Sequence, residues 1–168
     1  MSVVTVLKQA NIFFELTTIQ LELIGSICEE RTYQTGDMVF AENTVGAELY
    51  VIANGEVHIQ IATTAPGATP EANATSTDLR TIAVLRRGQS FGEVALVDEG
   101  RRSAAARCTQ PDTQLITIPR EKLTLLCETY PQLGFRLMRN LAADLAAKIR
   151  NTDLQIRDQL YWAPPNKM

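Results

Sequence analysis

The densest chemistry in this chain lies between residues 91 and 105, where Phe91-Gly92-Glu93-Val94-Ala95-Leu96 is followed by Arg101-Arg102-Ser103-Ala104-Ala105. The stretch combines a glycine that permits close backbone approach, a carboxylate, a short helix start, and an arginine followed by a hydroxyl. Each part suits one piece of a small anionic sugar phosphate. A turn that opens a helix aims unpaired N–H groups at an anion. An arginine fork matches phosphate oxygens two at a time, and an ionised carboxylate accepts from a sugar hydroxyl. The same residues also allow a purely architectural use. Gly92 would then be a barrel-corner turn, Glu93 a helix-start charge favoured by the dipole and paired with Arg102, and Ser103 an ordinary strand-start serine.

Other chemistries fit poorly. A metal site of the cupin kind needs several histidines and a carboxylate, and the chain has one histidine, His58. There is no phosphate-binding Gly-Lys-Ser/Thr loop, no dinucleotide glycine fingerprint and no arrangement suited to a Cys–His nucleophile. No catalysis, metal or cofactor is therefore expected. Three scattered cysteines, Cys28, Cys108 and Cys127, predict reduced thiols in a cytoplasmic setting, each a small buried hydrophobe.

The elements that must position these groups follow from length and pattern. The 168 residues, 45% hydrophobic with net charge −3, predict one domain over 1–168 with a substantial core. No apolar run approaches the roughly 20 residues that span a bilayer, and the start lacks a basic leader, so no membrane or export segment is expected. A pI near 5.2 argues against free-standing nucleic-acid binding.

Residues 1–28 read as helical. Thr17 and Gln20 have the spacing of a capping box, and Ile19, Leu23 and Ile27, with Ile24 beside them, are expected on one face. Before them, Ile12-Phe13-Phe14 and Leu16 form an apolar knot. Over 29–119 the period changes to two, as in many short strands of a sandwich or barrel. Strands are expected at Arg31–Thr35, Met38–Glu42, Leu49–Ile52, Val57–Ile61, Leu79–Leu85, Ser103–Thr109 and Gln114–Ile118. Asn54-Gly55 between two apolar runs predicts a type I′ hairpin. The Ala-, Thr-, Pro- and Ser-rich stretch from Ala62 to Asp78 predicts a mobile loop. Residues 120–161 read as helices. A long one starts at Pro131, with Leu133, Leu137, Leu141, Leu145, Ile149, Thr152, Ile156 and Leu160 as a narrow seam.

The order Phe-Gly-Glu-x-Ala-Leu and then Arg-Ser-Ala resembles the phosphate-binding cassette of the cyclic nucleotide-binding domain family, which includes catabolite activator proteins and kinase regulatory subunits. Gly36 and Gly55 stand where that family places turn glycines. The family usually has glycine where Glu42-Asn43 stands here, and asparagine tolerates the left-handed conformation next best. It often has proline before the cassette arginine, where this chain has Arg101.

The resemblance implies a mainly β fold, a double-stranded β-helix (jelly-roll) barrel with N-terminal helices and a long C-terminal helix. It implies a non-catalytic sensor for cyclic AMP or cyclic GMP that couples ligand binding to movement of that helix. The implied ligand-binding residues are Phe91, Gly92, Glu93, Val94, Ala95, Arg102, Ser103, Ala104, Thr152 and Asp153. Glu93 would take the ribose 2′-hydroxyl and Arg102 the phosphate, with Arg101 the alternative. Thr152 and Asp153 would lie over the purine, or else form a polar break in the seam. A homodimer through the terminal helix and a separate effector are expected as partners. Direct DNA binding is not expected, because nothing resembling a winged helix-turn-helix follows the long helix. The alternatives are a scaffold that keeps the fold without the ligand and, more remotely, a cupin-type metal enzyme.

Overall fold

In a computed structural model that describes residues 2–62, 79–97 and 100–162, the strands form two four-stranded antiparallel sheets. The strands are β1 (Glu29–Tyr33), β2 (Met38–Phe40), β3 (Glu48–Asn54), β4 (Glu56–Ala62), β5 (Leu79–Arg86), β6 (Ser90–Phe91), β7 (Ala105–Cys108) and β8 (Thr113–Pro119). One sheet runs β1-β8-β3-β6 and the other β2-β7-β4-β5. The helices are α1 (Val3–Leu7), α2 (Thr18–Gly25), α3 (Val94–Val97), α4 (Arg120–Thr129) and α5 (Pro131–Trp162). This is the mainly β architecture with flanking helices that the sequence implied. The loop expected over 62–78 lies, apart from Ala62, outside the described residues.

Two apolar clusters divide the side chains of β3 between them. Tyr50 and Ile52 point between the sheets, against Val57, Leu85, Phe91, Ala106 and Leu115. Leu49, Val51 and Ala53 point the other way and pack beneath the helices with Ile116 and Ile118 of β8. A strand buried on both faces has no wet side to alternate with, which is why Leu49 to Ala53 reads as one apolar run. The helical layer is closed by α5, where Leu133, Leu137 and Leu141 are buried against Ile12 and Phe13. The Asn140 amide of α5 donates to the carbonyls of Ile12 and Phe14, and Arg136 pairs with Glu15.

The capping box forms as expected: the Gln20 N–H donates to Thr17 Oγ1 at 3.2 Å and the Thr17 N–H to Gln20 Oε1 at 2.9 Å. The expected apolar face of that helix is corrected. Leu21 and Ile24 are buried while Ile19 is 71% exposed. The helix ends at Gly25, so Ile27 lies beyond it and cannot extend the stripe.

The type I′ hairpin at Asn54-Gly55 is also corrected. Strands β3 and β4 belong to different sheets, so the chain turns a corner here rather than pairing back on itself. Only Gly55 has positive φ (90°), and Asn54 remains in β3 opposite Gln114. A Cβ at Gly55 would lie 2.3 Å from Thr113 Oγ1 and 2.9 Å from Thr113 Cα, so this corner requires glycine.

Three strand limits shift for local reasons. β1 ends at Tyr33 because the Gln34 N–H turns to Asp37 Oδ2 at 2.7 Å. β2 ends at Phe40 because Ala41 to Thr44 form a turn, with Asn43 left-handed (φ 65°) as expected. β7 begins only at Ala105 because the backbone of Arg102 is engaged by that same turn.

Candidate functional site

The Asn43 turn fixes the site. The Asn43 N–H donates to the Arg102 carbonyl at 2.8 Å, and the Arg102 N–H donates to the Thr44 carbonyl at 2.7 Å. Arg102 is thereby clamped in both directions, and its side chain is directed inward. The residue is 5% exposed. Its guanidinium carbon lies 4.1 Å from the centre of the Phe40 ring, and its two terminal nitrogens donate to the carbonyls of Gly92 (3.0 Å) and Glu48 (2.7 Å). Phe40, Tyr50 and Phe91 form one aromatic group behind it, with Tyr50 stacked on Phe91 at 5.1 Å. Glu48 is itself held, through Arg31 at 2.9 Å and the Tyr50 hydroxyl. Burial pulls the Arg102 pKa below its ordinary value, opposed by Tyr50, Glu48 and Glu93. Arginine lies so far above neutrality that the group stays a cation.

Gly92 meets two demands at once. Its φ is 82°, and a Cβ there would lie 2.6 Å from Arg102 Nη1 and 3.2 Å from the Glu48 carbonyl. The following residue, Glu93, is 5% exposed. Its Oε1 accepts from the Lys148 ammonium of α5 at 2.7 Å. Lys148 also pairs with Asp144 at 2.8 Å, one helical turn back. Burial pushes the Lys148 pKa down, but the charges and hydrogen bonds of Glu93 and Asp144 outweigh that and leave it above the ordinary lysine value. The ammonium therefore stays charged at neutral pH, and its contribution to the pair is lost as pH climbs past the ordinary lysine range. Among the described residues, Glu93 Oε2 and Arg102 Nε are buried with no hydrogen-bond partner. Buried polar atoms are normally satisfied, so an unpartnered donor and an unpartnered acceptor in one site leave it two hydrogen bonds to offer.

Both residues line a partly open cavity of about 150 Å³. Its apolar wall comes from Phe40, Ile59, Leu85 and Phe91, its polar rim from Arg101, Arg102, Ser103, Glu93 and Lys148. Such a space can hold an anion at one end and a flat apolar group at the other.

Of the ten residues expected at the site, Phe91, Gly92, Glu93, Val94, Arg102, Ser103 and Ala104 line this cavity. Ala95 lies in the one-turn helix α3. Thr152 and Asp153 lie elsewhere: both are exposed on α5, and the Thr152 hydroxyl donates to the Lys148 carbonyl, one turn away. Arg101 is exposed and donates to the Asn43 carbonyl at 2.7 Å, while Arg102 is the buried arginine. A direct Arg102–Glu93 pair does not form. Lys148 was not anticipated. Continuing the barrel-facing stripe of Leu133, Leu137 and Leu141 by helical steps reaches Asp144 and Lys148, and that continuation was the available signal.

Outside the site, Cys28, Cys108 and Cys127 are free thiols, and burial pushes Cys28 up to about 12 and Cys108 up to about 11. No helix among the described residues is long and apolar enough to cross a membrane. No group of three or more His, Cys, Asp or Glu among them could hold a metal ion.

Comparison with known proteins agrees with the geometry. A family model described as the cyclic nucleotide-binding domain matches residues 30–130. The chain is 33% identical to the cyclic AMP receptor protein of Thermus thermophilus over 89% of its own length and 62% of that protein's. The crystal structure of Thermus thermophilus catabolite activator protein superposes with a TM-score of 0.71 at 32% identity, covering 90% of this chain and 63% of that one. The chain is also 28% identical to a cGMP-dependent protein kinase of Drosophila melanogaster, over 73% of its length and 15% of the kinase. It therefore spans less than two thirds of these relatives.

Proposed function

Because the chain belongs to the cyclic nucleotide-binding domain family, we propose that it is a non-catalytic sensor of cyclic AMP or cyclic GMP. The observation that carries this reading is the pair of buried orphans, Arg102 Nε and Glu93 Oε2, in one apolar-walled cavity. A cyclised phosphodiester supplies the acceptor that the guanidinium lacks, and the ribose 2′-hydroxyl supplies the donor that the carboxylate lacks. The purine lies along Ile59 and Leu85, and the backbone of Gly92 to Ala95 approaches the sugar and phosphate. Ser103 and Ala104 close the arginine side. Relatives named for each of the two nucleotides match this chain, so the base stays open between adenine and guanine.

Calorimetric titration tests this. Cyclic AMP or cyclic GMP should bind once per chain with a Kd of about 10 µM or tighter, and neutral adenosine at least about tenfold more weakly. No heat with either cyclic nucleotide at millimolar concentration contradicts the reading.

The protein works in the cytoplasm as a homodimer and passes ligand occupancy through α5 to an effector. Support for the dimer comes from how α5 divides its apolar residues. Leu133, Leu137 and Leu141 belong to the molecule's own core, so they are not part of the intermolecular seam expected from the sequence. A second stripe, Phe135, Met138, Ala142, Leu145, Ile149, Thr152 and Ile156, alternates steps of three and four, as a coiled-coil seam does, with Leu145 also packed in part against the molecule's own core. Phe135 is 69% and Ile149 62% exposed. In a twin-helix packing Thr152 sits in this seam and Asp153 flanks it, within one or two turns of Lys148. The double change Ile149→Glu, Ile156→Glu should give a folded monomer in sedimentation velocity. Burial of each isoleucine contributes about 1.5–3 kcal/mol, and a dimer loses four copies. A variant that sediments as a dimer removes this stripe from that role.

A further inference from the structure

Lys148 and Glu93 are 55 residues apart in sequence, yet they make the one charge-assisted bond between the cassette and α5 seen among the described residues. The contact is one-sided. Lys148 takes Oε1 of Glu93 at 2.7 Å, and Oε2 is left buried and unpartnered. We propose that Lys148 is the positioning residue that sets Glu93's selectivity for a sugar hydroxyl, sharing the carboxylate with the ligand rather than competing for it. The proposal rests on the sensor reading above and extends it to a residue on the terminal helix.

The chemistry of the carboxylate supports sharing. An ionised carboxylate has about four acceptor sites on two oxygens, so a hydroxyl at Oε2 adds to the ammonium at Oε1 without displacing it. A carboxylate this buried, at 7% side-chain exposure, is costly to keep ionised without a paired cation. Arg102 contributes charge nearby, but its terminal nitrogens are committed to the carbonyls of Gly92 and Glu48. The direct partner is therefore Lys148. An anionic acceptor makes the stronger, charge-assisted bond to a hydroxyl, whereas a protonated one is a poorer acceptor. Lys148 is in turn braced by Asp144 at 2.8 Å and lies 3.4 Å from the Ser90 carbonyl, beside the strand that leads into the cassette.

Wild type, Lys148→Met and Lys148→Arg should be titrated calorimetrically with cyclic AMP and with 2′-deoxy cyclic AMP, with thermal unfolding as the check on folding. The lysine side chain is 39% exposed, so methionine is compatible with the fold. Lys148→Met should weaken cyclic AMP by about tenfold and leave the 2′-deoxy ligand within about twofold of wild type, and Lys148→Arg should recover most of the loss. Equal weakening of both ligands overturns the proposal, since that marks a general structural role. Tighter cyclic AMP binding by Lys148→Met also overturns it, since the ligand would then be displacing the lysine. Wild type that binds neither of these ligands nor cyclic GMP defeats the sensor reading itself and this proposal with it, and wild type that binds only cyclic GMP takes the same comparison with 2′-deoxy cyclic GMP. Normal wild-type binding with an unchanged ratio in the variant defeats this proposal alone.

Discussion

Arg102→Ala should weaken cyclic nucleotide binding by at least tenfold, about 1.4 kcal/mol, and a hundredfold loss lies within the range of charge-assisted bonds. The size follows from what the guanidinium does at once. It rests on Phe40, holds the carbonyls of Gly92 and Glu48, and retains an unpaired Nε–H for an anion. Alanine removes the anion partner and also leaves two carbonyls without their donor, so the cassette loses its shape together with its charge. Lysine is no substitute, because a single ammonium cannot serve two carbonyls and a phosphodiester in one plane. Arg101→Ala is the matched control. Arg101 is exposed at the cavity rim and, among the described residues, its side chain donates to the Asn43 carbonyl, so its loss should change affinity by no more than about twofold. Equal affinity of Arg102→Ala and wild type, or a large loss only with Arg101→Ala, would move the phosphate contact away from Arg102.

Gly55→Ala should lower stability by about 3 kcal/mol or more. A left-handed non-glycine residue costs about 1–3 kcal/mol, and overpacking adds a similar amount. The added Cβ would meet Thr113 at 2.3 Å (Oγ1) and 2.9 Å (Cα), and the second of these is backbone that cannot rotate away. For a chain of this size that corresponds to a melting point roughly 6–12 °C lower. Gly36→Ala isolates the conformational part. Its φ is 91°, but a Cβ there has nothing within 4 Å, so about 1 kcal/mol is expected. Scanning calorimetry compares the two, and equal losses would show that the Thr113 contact does not hold. The position matters to function because this corner carries the chain from β3 into β4, where Ile59 lines the cavity.

What the sequence revealed depended on how local each signal was. The cassette was legible because its glycine, carboxylate and arginine fall within 15 residues, and their types match a sugar phosphate without any knowledge of the fold. The same is true of the Thr17–Gln20 cap, which closes within one helical turn. Asn54-Gly55 misled because a turn signal is local while membership of a sheet is not. Whether β4 folds back on β3 or crosses to the other layer is decided by Arg107, Cys108 and their neighbours on β7, which pair with it. The seam of α5 misled for a different reason. Leu133, Leu137 and Leu141 face the barrel while Phe135 and Met138 face out, so two apolar stripes overlap on one helix. Periodicity alone cannot separate stripes that differ by a fraction of a turn. Lys148 was illegible as a site residue because a lysine on an amphipathic helix is ordinary, and only its placement over buried Glu93 gives it a role.

The most direct test is a crystal structure of the protein grown with the Sp-phosphorothioate analogue of cyclic AMP, whose sulfur can be located by anomalous scattering. The expected result is a phosphorothioate group in the cavity, with a non-bridging atom about 3–3.5 Å from the Arg102 guanidinium and the 2′-hydroxyl about 2.7 Å from Glu93 Oε2. A nucleotide bound elsewhere, or Arg102 still turned wholly to the Gly92 and Glu48 carbonyls with no ligand beside it at saturating concentration, would contradict it.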